Sequence, residues 1–219
     1  KFYDRCNSTY KSAGGKGDFY MVGEQFSDAS EVAPYYKGIP ALFEFSFWWR
    51  LKDCINNGDG SSFVGTIQSY QKLYAGYRSD YIEATKLSNH DEDRAGNDLG
   101  KSVAKMKLAG AVLLTAGGQP YIYQGEELGL AEVEDIPEDQ LQDPIWENSG
   151  HTERGRDGCR VPLPWSGGEP PYGFSRRVGG VSSGGSSSTG SSSPQSPSEP
   201  WLPQPASWAG HTAADQAED

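Results

Sequence analysis

The sequence has no run of Lys and Arg. Its 19 basic residues are outnumbered by 30 acidic ones, and the net charge is −11. Nucleic acid binding needs a basic face that displaces phosphate counterions. That class of partner is therefore disfavoured, and so are anionic membrane surfaces. Cysteine is scarce as well. Cys6, Cys54 and Cys159 form no C-x-x-C pattern, which argues against a zinc site or a redox motif and supplies no disulfide framework. No apolar stretch reaches the roughly 18 residues that a membrane span requires, and no signal peptide is visible. The expectation is a soluble chain, with the compartment left open between cytoplasmic and secreted or periplasmic. There are no internal repeats. The chain opens on Lys1 inside a helical pattern and so reads as a piece of a longer protein.

What is present is unevenly distributed. Apolar and aromatic residues fill the first 130 or so positions, while the last 45 or so are mostly Ser, Gly and Pro. Only the first part can bury a sizeable core. The stretch from Val178 to Pro200 cannot bury enough apolar surface to offset ordering entropy. The sequence thus divides into a folded region over 1–143, an irregular aromatic segment over 144–175, and a flexible tail over 176–219.

Within the folded region the hydrophobic pattern alternates between two periods. Residues 2–11 carry Phe2, Tyr3, Cys6 and Tyr10 at helical spacing. The run Asp18-Phe-Tyr-Met-Val-Gly-Glu24 reads as a buried parallel strand. Ala41 to Ser46 and Ile82 to Ser88 read as further strands, and Tyr121 to Gln124 as a fourth. Helices are expected around 47–56, 62–77 and 101–115, the last closed by Gly117-Gly118. Alternation of this kind implies a parallel sheet with crossover helices. Glu24 and Asp91 lie 67 residues apart, and Asp91 and Gly125 lie 34 apart. A (β/α)8 barrel of about 250 residues averages about 31 per unit, so the intervals fit two units and then one. A doubly wound sheet gives similar spacing and also builds its sites at the C-terminal strand ends.

Four segments carry a specific resemblance. Val22-Gly23-Glu24, Leu87-Ser-Asn-His-Asp91, Gly118-Gln-Pro-Tyr-Ile-Tyr-Gln-Gly-Glu-Glu127 and Arg156-Asp-Gly-Cys-Arg-Val-Pro-Leu-Pro-Trp165 occur in one order at compatible distances. The first three resemble the motifs that follow the fifth, seventh and eighth strands of the α-amylase family of glycoside hydrolases. The fourth resembles a segment after the eighth strand of bacterial α-glucosidases. The resemblance implies an α/β chain forming about strands five to eight of a (β/α)8 barrel. It implies Glu24 as general acid and base, partly buried beside another carboxylate, and Asp91 as a second active-site carboxylate that stabilises the distorted sugar. His90, Asn89, Phe26, Tyr123 and Arg94 become candidate substrate contacts, although Asn89 also reads as a loop-orienting residue and Arg94 as a partner of a nearby carboxylate. Glu126 and Glu127 read as loop-orienting residues, and the aromatic cluster over 43–49 as core.

The resemblance also implies an α-glucan or maltooligosaccharide substrate and no cofactor in this segment, with calcium possible in the full-length protein. The acidic run Asp91-Glu92-Asp93 reads as a solvated loop rather than a metal site. No segment here matches the family's nucleophile motif, an Asp at the end of the fourth strand. The isolated chain is therefore expected to be inactive and to need the N-terminal half of its own barrel. A transglycosylase or isomerase of the same family shares these motifs; a non-catalytic amylase-like binding domain is a further alternative, against which the retention of both Glu24 and Asp91 argues. A His-Asp phosphohydrolase needs several histidine ligands, and the chain has three His in all, His90, His151 and His211.

Overall fold

The structure is a computed structural model of the 219-residue chain and describes residues 1–175 and 200–217. The predicted flexible linker therefore lies mostly outside the described residues. The described residues form two compact units: Lys1–Asn89 with Asp93–Gly129, and His90–Glu92 with those from Leu130 onward. This partition differs from the one composition suggests, because residues 130–143 fold with the aromatic segment that follows them.

The first unit is a parallel sheet of four strands: β1 (Val22–Gly23), β2 (Ala41–Glu44), β3 (Ile82–Lys86) and β4 (Gln119–Tyr121), hydrogen-bonded in sequence order. Val22 pairs with Ala41, Ala41 with Ile82, and Ala84 with Gln119. Parallel neighbours need a crossover, and helices supply them. Before β1 runs α1 (Phe2–Ser12). Between β1 and β2 lie α2 (Ala29–Val32) and a 3-10 turn over Ala33–Lys37, with Asp28 capping α2 through the N–H groups of Ser30 and Glu31. Between β2 and β3 lie α3 (Phe45–Asn57) and α4 (Phe63–Ala75), and α3 ends at Gly58 in the left-handed conformation a glycine tolerates. Between β3 and β4 lie α5 (Ala95–Asp98) and α6 (Val103–Thr115), the latter capped by the Ser102 hydroxyl.

Two apolar clusters hold the helices on the sheet. One joins Phe47, Trp48 and Leu51 of α3 to Leu87, Leu99, Ala109 and Leu113. The other joins Val32, Tyr36, Leu42 and Tyr74. Full burial of such side chains contributes about 1.5–3 kcal/mol each. Trp48 satisfies its buried indole N–H on Asp98 at 3.1 Å, and Lys52 pairs with the same carboxylate at 3.1 Å. The aromatic run over 43–49 is therefore mostly core, as its sequence indicates, with Phe45, Phe47 and Trp48 at most 2 % exposed.

In the second unit little secondary structure is regular; α7 (Pro144–Asn148) is capped by Asp143. Residues 200–217, expected to be a flexible tail, are packed. Leu202 and Thr212 are buried, Gln204 donates to Pro162 O at 2.9 Å, and α8 (Ala213–Gln216) begins with a capping box. Pro203 and Pro205 lower the ordering entropy of this stretch, and Leu202 and Trp208 give it apolar surface to bury. Among the described residues no helix is long and apolar enough to cross a membrane.

Candidate active site

Glu24 follows β1 directly, and Ser88 and Asn89 follow β3 within three residues. Both strands run the same way with β2 between them, so Glu24 and Asn89 emerge from the same edge of the sheet. The Asn89 side-chain amide donates to Glu24 Oε1 at 3.4 Å. Glu24 is exposed, not partly buried as the sequence reading expects. Two residues on, Phe26 is 61 % exposed, and edge-on contacts to Phe45 at 4.7 Å and Trp49 at 5.7 Å hold its ring upright. A ring fixed in this way can offer a face to an apolar sugar surface.

After β4 the chain turns through Tyr123, Gln124 and Gly125. Arg94 stacks over the Tyr123 ring at 5.0 Å and donates through Nη1 to Gln124 O at 2.7 Å. Arg94 is 1 % exposed. It braces the post-β4 loop from beneath and offers no surface to a sugar, which corrects its reading as a substrate contact. Glu126 accepts from the Ser88 hydroxyl and from Tyr123 N–H at 3.2 Å, tying the ends of β3 and β4 together. Burial pushes its carboxyl above the usual range, and the Ser88 hydrogen bond opposes that shift. Glu127 accepts from Gly125 N–H at 2.8 Å. Both glutamates orient the loop, as their sequence context suggests.

His90 and Asp91 belong to the second unit, whereas Glu24, Asn89, Phe26, Tyr123 and Arg94 belong to the first. Asp91 is half-buried. Its Oδ1 receives Arg156 Nη1 at 2.5 Å and Arg160 Nη2 at 2.9 Å, and its Oδ2 lies 3.3 Å from His90 Nε2. Arg160 Nε also donates to His90 O at 2.8 Å. Arg156 in turn grips Asp143, with Nε to Oδ2 at 2.7 Å and Nη2 to Oδ1 at 3.2 Å. The Asp143 side chain has no exposure, and the Arg156 guanidinium holds its carboxyl well below the usual carboxylate range. The sequence reading missed Arg156, Arg160 and Asp143 as site residues. The signal available was the two arginines spaced four apart inside the motif already picked out on either side of Cys159.

A parallel β/α sheet with carboxylate and amide side chains at its C-terminal strand ends defines an enzyme scaffold of the barrel or open-sheet type. Comparison with known proteins decides between them. The family described as the alpha amylase catalytic domain matches residues 1–179, and the chain belongs to that family. Alpha-amylase SusG of Bacteroides thetaiotaomicron is 59 % identical over 149 residues, covering 68 % of this chain and 22 % of that protein. Oligo-1,6-glucosidase of Bacillus cereus is 27 % identical over 185 residues, covering 68 % of the chain and 32 % of the relative. Among solved structures, the alpha-glucosyl transfer enzyme XgtA superposes with a TM-score of 0.69 at 26 % identity, covering all of this chain and 35 % of that one. The chain thus spans about a fifth to a third of these proteins' lengths. Its sheet is part of the amylase (β/α)8 barrel.

Proposed function

We propose that this chain is the acid/base-bearing half of a retaining glycoside hydrolase acting on α-glucans. The observation that carries the reading is Glu24, exposed at the C-terminal end of a parallel strand and hydrogen-bonded to Asn89 from the strand two places along, in a chain of the amylase family. Cleavage of a glycosidic bond needs a proton delivered to the leaving oxygen and negative charge facing an oxocarbenium-like centre. In the first step Glu24 gives its proton to that oxygen. In the second it takes a proton from the incoming water. The family resemblance assigns Asp91 the stabilisation of the distorted ring and His90 a hydrogen bond to neighbouring hydroxyls, and it gives Phe26 and Tyr123 as candidates to pack on sugar faces.

The nucleophile that such a mechanism needs, about 5–5.5 Å from the acid, matches no motif among these residues. The 219 residues alone are therefore inactive, and the chemistry belongs to a polypeptide that also supplies the preceding strands. The four-stranded sheet fits this reading, because β1 and β4 each leave an edge that barrel closure would pair. Among the described residues no three His, Cys, Asp or Glu side chains are grouped to hold a metal ion.

Glu24→Gln in the full-length protein tests the assignment. Hydrolysis of a maltooligosaccharide should fall by about 10²–10⁴-fold, the usual worth of a positioned acid. Activity at the wild-type level in that variant removes Glu24 from the mechanism. A transglycosylase of the same fold would show the same loss but would pass the sugar to an acceptor other than water, which product analysis separates.

A further inference from the structure

We propose that Asp143 is a positioning residue for Asp91, acting through Arg156 and Arg160. The inference rests on the reading above that the Asp91 carboxylate faces the sugar.

The geometry is a chain of alternating charge. Asp143 is fixed first. Its backbone N–H donates to Asp157 Oδ2 at 3.0 Å, and its Oδ1 accepts from Ile145 N–H at 3.0 Å. The Asp143 carboxylate then receives Arg156 as a fork, Nε on Oδ2 and Nη2 on Oδ1, and takes the Arg156 backbone N–H at 2.9 Å as well. A bidentate pair of this kind fixes the plane of the guanidinium. The remaining nitrogen, Nη1, points to Asp91 Oδ1. Arg160 forms a second arm, with Nη1 3.6 Å from Asp143 Oδ2, Nη2 on Asp91 Oδ1 and Nε on His90 O. Asp91 is thus held by its side chain and its preceding backbone at once. Fixing Oδ1 sets where Oδ2 is presented.

The backbone makes room for this contact. Gly155 has φ +72°, and a Cβ built there would lie 2.8 Å from Asp143 Cβ and Cγ. Only glycine lets the chain come close enough for Arg156 N–H to reach the carboxylate. A stability role alone explains the arrangement poorly. Taking charges out of water costs several kcal/mol per ion, and a well-packed apolar replacement is often as stable. Here the buried anchor carries its charge through the Arg156 fork and a longer Arg160 ion pair to a carboxylate that is 33 % exposed. Catalytic groups need that kind of support, because a misplacement of about 1 Å can cost about 100-fold in rate.

The test uses the full-length protein and three variants, Asp143→Asn, Arg156→Lys and Asp91→Asn, with melting temperatures recorded alongside kinetics. Asp143→Asn should lower kcat on a maltooligosaccharide by about 10- to 100-fold, with KM moved far less. Arg156→Lys keeps the charge but loses the fork, so it should lose rate in the same way, and it carries the test if Asp143→Asn does not fold. The decisive readout is the double variant. If Asp143 works through Asp91, adding Asp143→Asn to Asp91→Asn costs almost nothing further, because interacting residues are non-additive. Losses that multiply, or a folded Arg156→Lys enzyme with wild-type kcat, overturn the positioning role. Wild-type activity in Asp91→Asn overturns the sugar-facing reading of Asp91 itself, and the role of Asp143 falls with it.

Discussion

Glu83 lies on β3 and is 7 % exposed, yet it is a carboxyl. Burial pushes it up to about 7. A hydrogen bond from Gln71 Nε2 at 3.3 Å opposes the shift, and the nearby charge of Glu44, itself raised by burial, adds to it. A carboxyl whose folded pKa lies above its unfolded value holds its proton longer in the native state. Its contribution to stability is therefore complete below the unfolded value of 4.5 and is lost as pH rises to about 7. The loss amounts to about 3 kcal/mol. Glu83→Gln should remove it: the variant should match the wild type near pH 4 and exceed it at pH 8 in urea unfolding. Parallel stability curves for the two proteins would contradict this account. At this scale the sequence was least legible. Nothing in Ile82-Glu-Ala-Thr-Lys86 marks Glu83 as buried, and nothing near Asp91 marks Arg94 as buried beneath Tyr123. Burial of a charge depends on what other elements bring to it.

The secondary structure elements were more legible than their ends. Helices α3, α4 and α6 fall where apolar spacing and glycine stops place them. Strands β2 and β3 fall where short apolar or mixed runs meet turn residues. The strand expected over 18–24 shortens to the two residues of β1 for a local reason. Asn7 of α1 captures both Phe19 N–H at 2.8 Å and Asp18 Oδ1 at 2.9 Å. The start of the run is therefore tied to α1 and does not pair with β2. The helical turn α5, four residues long, carries too few positions for a period to show. The turn into β4 runs through two glycines at positive φ, Gly117 at +87° and Gly118 at +86°, and the second is also sterically confined. Gly118 has φ +86°, and a Cβ there would meet Glu83 O at 2.7 Å. Gly118→Ala should cost about 1–3 kcal/mol through backbone strain alone, read as a lower urea midpoint with an unchanged slope. A midpoint equal to the wild type would show that the turn can relax.

At the scale of the whole molecule, family membership was legible because four motifs kept their order over a long stretch. Spacing alone left barrel and doubly wound sheet level. Composition alone makes the whole of 176–219 look flexible, because it averages over residues of two kinds. A Ser/Gly-rich stretch precedes residues 200–217, whose Leu202, Trp208 and Thr212 are buried and whose Ala213 and Ala214 N–H groups bond to Pro164 O and Trp165 O, both at 2.9 Å. Ending the chain at residue 199 should expose the apolar surface they cover. Deleting residues 200–217 from the full-length protein should lower its melting transition by about 5 °C or more. An unshifted transition would assign these contacts no weight.

The sheet's spatial order is also its order along the chain, with every strand beside the one translated just before it. Domains emerge from the ribosome from the N-terminus at about 5–20 residues per second. Each new strand of this sheet therefore meets its neighbour already in place. The topology thus lets each strand add to the edge its predecessor leaves, one crossover at a time, while the outer edge of β1 waits for barrel closure.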